Sequence, residues 1–301
     1  MNYIETDLRG KPLWRRIVDF PLVTMLIALA VVIACFAIAL PIAQFLLPEI
    51  PDLDANAKLD LVAIPLLIIA YKLVIRRLGE HPRDDLPLDG AGKPLLAGLG
   101  IGFVVFALVV GIAAVIGVYR VIGEGDASGL VSALIGPAIF AAISEEMVFR
   151  GILLRWIEEF AGSWAGLTTS SLLFGFAHYF NPGASVIACL WIAVEAGILL
   201  GGAYLLTRSL WLPIGIHAAW NFTQGEIFGV PVSGTTVHGF LRARLVGSPM
   251  LTGGPFGLES SVIALAVATA AGVLLVVLAV RRGELVKPRW VRRRRLKIAA
   301  A

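Results

Sequence analysis

Charge is scarce in this 301-residue chain: 15% of its residues are Asp, Glu, Lys or Arg, while 58% are hydrophobic. A mean hydropathy of +0.87 accompanies that imbalance, and together they exclude a soluble domain of ordinary composition, in which about a quarter of residues are charged. Cysteine is nearly missing as well. Cys35 and Cys189 both lie in apolar runs, with no CxxC spacing, so neither a disulfide framework nor a zinc knuckle is supported and both read as packing residues. The chain also lacks an HExxH signature and the internal repeat that marks inverted-topology transporters.

What it has instead is long apolar runs, at Phe20 to Leu47, Leu61 to Ile75, Leu95 to Tyr119, Leu130 to Trp156, Trp164 to Phe180, Ala184 to Thr207, Leu210 to Val230 and Ser261 to Val280. A helix needs about 20 residues at 1.5 Å each to cross roughly 30 Å of hydrocarbon. The expected fold class is therefore all-α, a polytopic integral membrane protein with about eight transmembrane helices, the second of them short. The first run is too long for the apolar core of a signal peptide and lacks a cleavage pattern.

Orientation follows from the cations. With the N-terminus inside, nineteen Lys and Arg fall in inner segments, among them Arg9, Arg83, Arg208 and the tail from Arg281 to Lys297; Lys58, Arg120, Arg242 and Arg244 fall outside. The positive-inside rule then places both termini in the cytoplasm, in a multi-pass protein of the cell (inner or plasma) membrane. The tail "RRGELVKPRWVRRRRLK" is basic and carries a tryptophan, yet beside a final span it reads as an anchor against anionic lipid, and nucleic acid is not an expected partner.

Four parts follow along the chain. Residues 1–127 supply three transmembrane helices, with Lys72 snorkelling from the second. Residues 128–229 form a core of helices four to seven. Residues 230–260 make an extracytoplasmic loop rich in Gly, Pro, Ser and Thr, and 261–301 the last span and basic tail.

Ionisable side chains inside a span cost several kcal/mol by insertion scales of about 2.5–3.5 each, so they face cavities or one another. Glu145, Glu146 and Arg150 lie in the fourth run, His178 in the fifth, Glu195 in the sixth, His217 and Asn221 in the seventh. Glu146 and Arg150 are four apart and share a face as an ion pair, while Glu145 is turned by about 100° and left free. Glu145 and His178 lie nearly equidistant from the turn at Gly162, which puts them side by side in an antiparallel hairpin. If the fourth helix leaves the membrane near Arg155, Glu145 is about 15 Å deep and His217 about 13 Å. His217 shares a face with Asn221, and Phe174 with His178. Glu195 reads as a hydrogen-bonding strut; His81 and His238 read as solvated.

A carboxylate beside an imidazole, with a second imidazole and an amide opposite, fits general-base activation of water. Glu145 would take the proton, aided by His178, and His217 with Asn221 would hold the oxyanion of a carbonyl under attack. No serine or cysteine has the setting of a nucleophile. The runner-up is a divalent metal such as zinc, on Glu145, His178 and His217 with water as fourth ligand.

"EEMVFR" (Glu145 to Arg150), "FGFAH" (Phe174 to His178) and "HAAWN" (His217 to Asn221) resemble the EExxxR, FxxxH and HxxxN motifs of the CAAX protease and bacteriocin-processing family (CPBP, Abi), which includes the type II CAAX prenyl endopeptidases. "GILLGGAYLLTRSLWLPIGIHAAWN" resembles its sixth and seventh helices, and "FGVPVSG" and "LTGGPFGLE" a tail of many bacterial members. The resemblance implies an eight-helix intramembrane endopeptidase acting on a membrane-associated or lipidated peptide through glutamate-activated water. Glu145 takes the place of its catalytic glutamate, His178 of its general-base histidine, and His217 and Asn221 of its oxyanion-stabilising pair. Glu146 and Arg150 match its structural pair, with Phe174 supporting the site and no cofactor required. Alternatives from other classes are a non-catalytic scaffold or bacteriocin immunity protein, and a proton-coupled transporter.

Overall fold

A computed structural model describes residues 10–47, 53–126 and 128–299, with side chains as far as Arg294. Arg9 and the side chains of Arg295 and Lys297, which enter the charge count above, lie outside the described residues.

The apolar runs fold as helices because a backbone in hydrocarbon must satisfy its own N–H and C=O groups. A short α1 (Leu13–Val18) leads into α2 (Pro21–Leu46), α3 (Ala55–Leu73) and α4 (Gly92–Val115). Then come α5 (Leu130–Ala161), α6 (Ser163–Ala177), α7 (Val186–Thr207), α8 (Trp211–Phe222), α9 (Val262–Arg281) and the basic α10 (Arg289–Ala299). The protein is thus an all-α, polytopic membrane protein. Helices α2, α4, α5, α7 and α9 are long and apolar enough to cross a bilayer by length and composition. The runs that became α3, α6 and α8 gave shorter or more polar helices.

Glycines let backbones touch where the core is tightest. A Cβ on Gly98 of α4 would come within 2.4 Å of the Leu212 carbonyl, and one on Gly215 of α8 within 2.5 Å of the Leu95 carbonyl. Between α6 and α7, a Cβ on Gly175 would meet the Cys189 carbonyl at 2.2 Å. Such small-residue contacts drive helix association in lipid, where no hydrophobic effect is available. Both cysteines are buried and free.

The outer surface carries a feature that hydropathy did not announce. Strand β1 (Tyr119–Glu124) pairs antiparallel with β2 (Leu241–Leu245), with an irregularity between Val121 and Gly123, tying the end of α4 to the loop before α9.

Around the end of α5, two side chains differ from expectation. Helix α5 runs on past Arg155 to Ala161, with Arg155, Glu158 and Glu159 all buried. The α3–α4 connection folds over them. Arg155 donates to Asp85 at 3.1 Å, Glu158 binds Arg208 at 2.6 Å, and His81 pairs with Glu159 at 3.0 Å, so His81 is a packed partner and not a solvated side chain. Lys72 likewise does not reach freely for headgroups; it is held by Asp84 at 2.7 Å. Buried charges persist where each finds a counter-charge and further hydrogen bonds, and Tyr71 and Tyr204 add theirs to Asp85.

Candidate active site

The middle of α5 is irregular. Two π-helical stretches, Leu134–Phe140 and Met147–Leu154, flank the α-helical turn Ala141–Glu146, and a third, Thr223–Ile227, follows Asn221 at the end of α8. Such widened turns occur mostly at functional sites, because the displaced residue aims its neighbours differently from a regular helix. Pro137, which has no N–H to donate, lies in the first of them.

Glu145 and Glu146 leave that turn in different directions, as a helix requires of adjacent residues. Glu146 is fully buried: its Oε1 accepts from Arg150 at 2.8 Å and from Nδ1 of His217 at 2.9 Å. Arg150 reaches on to the carbonyl of Ala196 in α7 at 3.2 Å and lies 4.4 Å over the ring of Phe174. One guanidinium thus joins α5, α6 and α7. Glu145 keeps 32% of its side chain exposed, and its Oε2 has no hydrogen-bond partner among the described residues; that oxygen lies 4.0 Å from Nε2 of His217.

His217 therefore stands between the two carboxylates. Its Nδ1–H is committed to Glu146, because a carboxylate oxygen accepts, and its Nε2 points toward Glu145. His178 has the same tautomer for a different reason. Its Nδ1–H donates to the Phe174 carbonyl at 2.8 Å, which frees Nε2. The ring packs at 5.0 Å from Phe174, whose centroid is 6.1 Å from that of His217, so Phe174 contacts both imidazoles. The ion-pair contact of Glu145 is with His217; none with His178 is found within 4.0 Å among the described residues. Asn221 donates through Nδ2 to the Pro137 carbonyl at 2.8 Å, leaving its second amide hydrogen for another acceptor.

Helix α6 explains the depth of His178. At 15 residues it spans only about 22 Å, and the outer loop folds down over its end. A Cβ on Gly183 would strike Pro255, the Gly234 N–H donates to the Phe256 carbonyl at 3.0 Å, and the ring of Phe256 lies 6.4 Å from that of His178.

Beneath this cover is a cavity with a water-accessible volume of about 40 Å³, lined by Phe174, His178, Glu195, His217, Asn221 and Glu259, among others. That suffices for one water or a few. Two further acids line it outside the EExxxR, FxxxH and HxxxN motifs. Glu259, from the outer loop, is buried and accepts from the backbone N–H of Ser233. Glu195 was expected to be a hydrogen-bonded strut, yet its Oε2 is buried with no partner among the described residues. The signal for Glu259 was an acid at the head of the last apolar run, inside a Gly- and Pro-rich loop; its reach into the core depends on how that loop folds.

Among the described residues, one group has three ligand-type atoms within 4.8 Å of one another: Glu80, His81 and Glu159 at the inner end. Arg289 and Arg293 already bind Glu80 there. Glu145, His178 and His217 do not form such a group.

Fold and site together define a polytopic helical membrane protein with a Glu–His–Asn cluster held between four helices. Residues 127–223 match the family described as Type II CAAX prenyl endopeptidase Rce1-like, in agreement with the motifs at Glu145, Phe174 and His217. No curated protein and no solved structure matches the chain.

Proposed function

We propose that the protein is a glutamate-dependent intramembrane endopeptidase that hydrolyses peptide bonds of a membrane-associated or lipidated peptide. The observation that carries this reading is the unpartnered Oε2 of Glu145, 4.0 Å from a histidine whose other nitrogen is already bound. A carboxylate with a free oxygen, 4.0 Å from a histidine that itself lines a water-sized cavity, is placed to take a proton from water, a step worth about 10²–10⁴-fold. His178, with its Nε2 lone pair free, aids in moving that proton. Attack of the resulting hydroxide on the scissile carbonyl puts negative charge on its oxygen, and as the C–N bond then breaks the leaving amine takes up the proton held by Glu145. The second amide hydrogen of Asn221 is one donor for that oxygen; His217, protonated on both nitrogens with its charge balanced by Glu145 and Glu146, supplies the other through Nε2–H.

No metal enters this scheme; zinc on Glu145, His178 and His217 is the alternative. The protein is taken to lie in the cell (inner or plasma) membrane with both termini cytoplasmic, contacting lipid and a peptide substrate and no nucleic acid.

The test is cleavage of membrane-anchored reporter peptides by the purified protein in liposomes. Glu145→Ala, His178→Ala and His217→Ala are each expected to abolish turnover; unchanged turnover in all three would end the proposal. Activity that disappears on chelation and returns with zinc would move the mechanism to the metal alternative.

A further inference from the structure

On the outer side a second cavity, of about 390 Å³, adjoins the first, and Asn221 lines both. Its wall is acidic: Asp54 and Asp60 come from the start of α3 and Glu226 from the π-helical stretch after α8, while among the described residues no lysine or arginine lines it. Glu226 is 3% exposed, and its Oε2 is buried with no hydrogen-bond partner among the described residues. An unpaired carboxylate left in a low-dielectric wall costs free energy that a bound cation would recover. Asp60 is buried as well, and it approaches α5 where Gly136 makes room, since a Cβ there would come within 3.0 Å of its Oδ2. Asp54 is partly committed, capping α3 through the Ala57 N–H at 2.8 Å. His238 stands at the exposed rim.

We propose that this cavity is a specificity site for the cationic side chain, Lys or Arg, of a polypeptide whose backbone lies against Asn221, the residue shared with the water-sized catalytic cavity. The inference rests on the protease reading above and adds the substrate class. A peptide fits better than a bare ion on two counts. A volume of about 390 Å³ lies within the roughly 300–1,000 Å³ of sites for organic ligands. The three carboxylates also do not converge closely enough to form one ion-sized ligand set. A side chain with an apolar stem and a charged head can instead reach Glu226 while its backbone stays beside Asn221.

The experiment measures binding first. Full-length Glu145→Gln protein in nanodiscs is titrated with a fluorescent ten-residue peptide carrying two lysines, and with the same peptide carrying glutamines. The lysine peptide is expected to bind at least tenfold more tightly, and Asp60→Asn or Glu226→Gln to remove most of that difference. Asp54→Asn, which retains the helix cap, provides a second variant should Asp60→Asn fail to fold. Equal affinity for both peptides overturns the proposal. So does tight calcium binding lost in the same variants while peptide binding ignores charge. If charge-selective binding is found but the wild-type protein cleaves no peptide, the protease reading fails and the site stands; cleavage indifferent to charge gives the converse.

Discussion

Glu146 and His217 are 71 positions apart in sequence, and their side chains are bonded at 2.9 Å, Nδ1–H of the histidine donating to the Oε1 that also receives Arg150. The second glutamate of the pair therefore has two tasks. It neutralises Arg150, and it sets the tautomer and direction of the imidazole that faces Glu145.

That double role separates the two adjacent glutamates experimentally. Glu146→Gln leaves the Arg150 guanidinium buried without its counter-charge and is expected to destabilise the protein by about 3–5 kcal/mol, with activity lost alongside. Glu145→Gln changes a partly exposed side chain with a free oxygen; the proposed mechanism expects turnover to fall by about 10²-fold or more with the unfolding midpoint unchanged. Thermal unfolding in detergent and reporter cleavage, run on both variants, check the contrast.

Gly175 holds α6 against α7 three residues before His178. An added Cβ would sit 2.2 Å from the Cys189 carbonyl, a backbone atom that cannot swing away. Gly175→Ala is expected to cost about 1–3 kcal/mol and to lower turnover by displacing His178. Gly100→Ala, at a position with open space around its Cβ site, should be neutral on both measurements.

Arg155 and Asp85 test whether the buried inner network stabilises the fold or only avoids a penalty. Arg155→Met and Asp85→Leu each strand the partner and should each destabilise by about 3 kcal/mol or more, whereas the double substitution should recover a large part of the loss. Additive losses in denaturation of the three variants would show that the charges act through other partners, Tyr71 and Tyr204 among them.

Closure of the outer loop should depend on pH through Glu259, which precedes α9. Burial pushes this carboxyl above its ordinary range, against the pull of His178 and of the Ser233 N–H. An acid whose folded pKa exceeds its unfolded value binds more protons when folded. Loop stability is therefore greatest below the unfolded value, falls as pH rises toward the folded one, and levels off beyond it. Hydrogen exchange across residues 253–260 is expected to quicken through that window. In Glu259→Gln the dependence should flatten, leaving whatever Glu195, His178 and His217, which line the same cavity, contribute.

Much of the architecture was legible because lipid imposes a simple code. Runs such as those at Ser261 to Val280 and Leu95 to Tyr119 became α9 and α4 with small changes of boundary, since nothing except a helix satisfies a backbone in hydrocarbon. The i, i+4 pairing of Glu146 with Arg150 was legible for an equally local reason. The same code does not say what surrounds the charges at the other end of α5, Arg155, Glu158 and Glu159. A charge run has the same appearance in sequence whether it is solvated or folded against Asp85, Arg208 and His81.

Sequence by itself determined the helical class, the apolar segments and which polar side chains lie along them, because composition and period act within one segment. Tertiary structure alone decided that Glu146 also holds His217, that Phe174 packs against His217 as well as His178, and that a loop from beyond α8 brings Glu259 down to the cavity. Those contacts join residues tens of positions apart. They depend on glycine-to-backbone approaches between helices and on the short reach of α6, neither of which leaves a periodic trace in the chain.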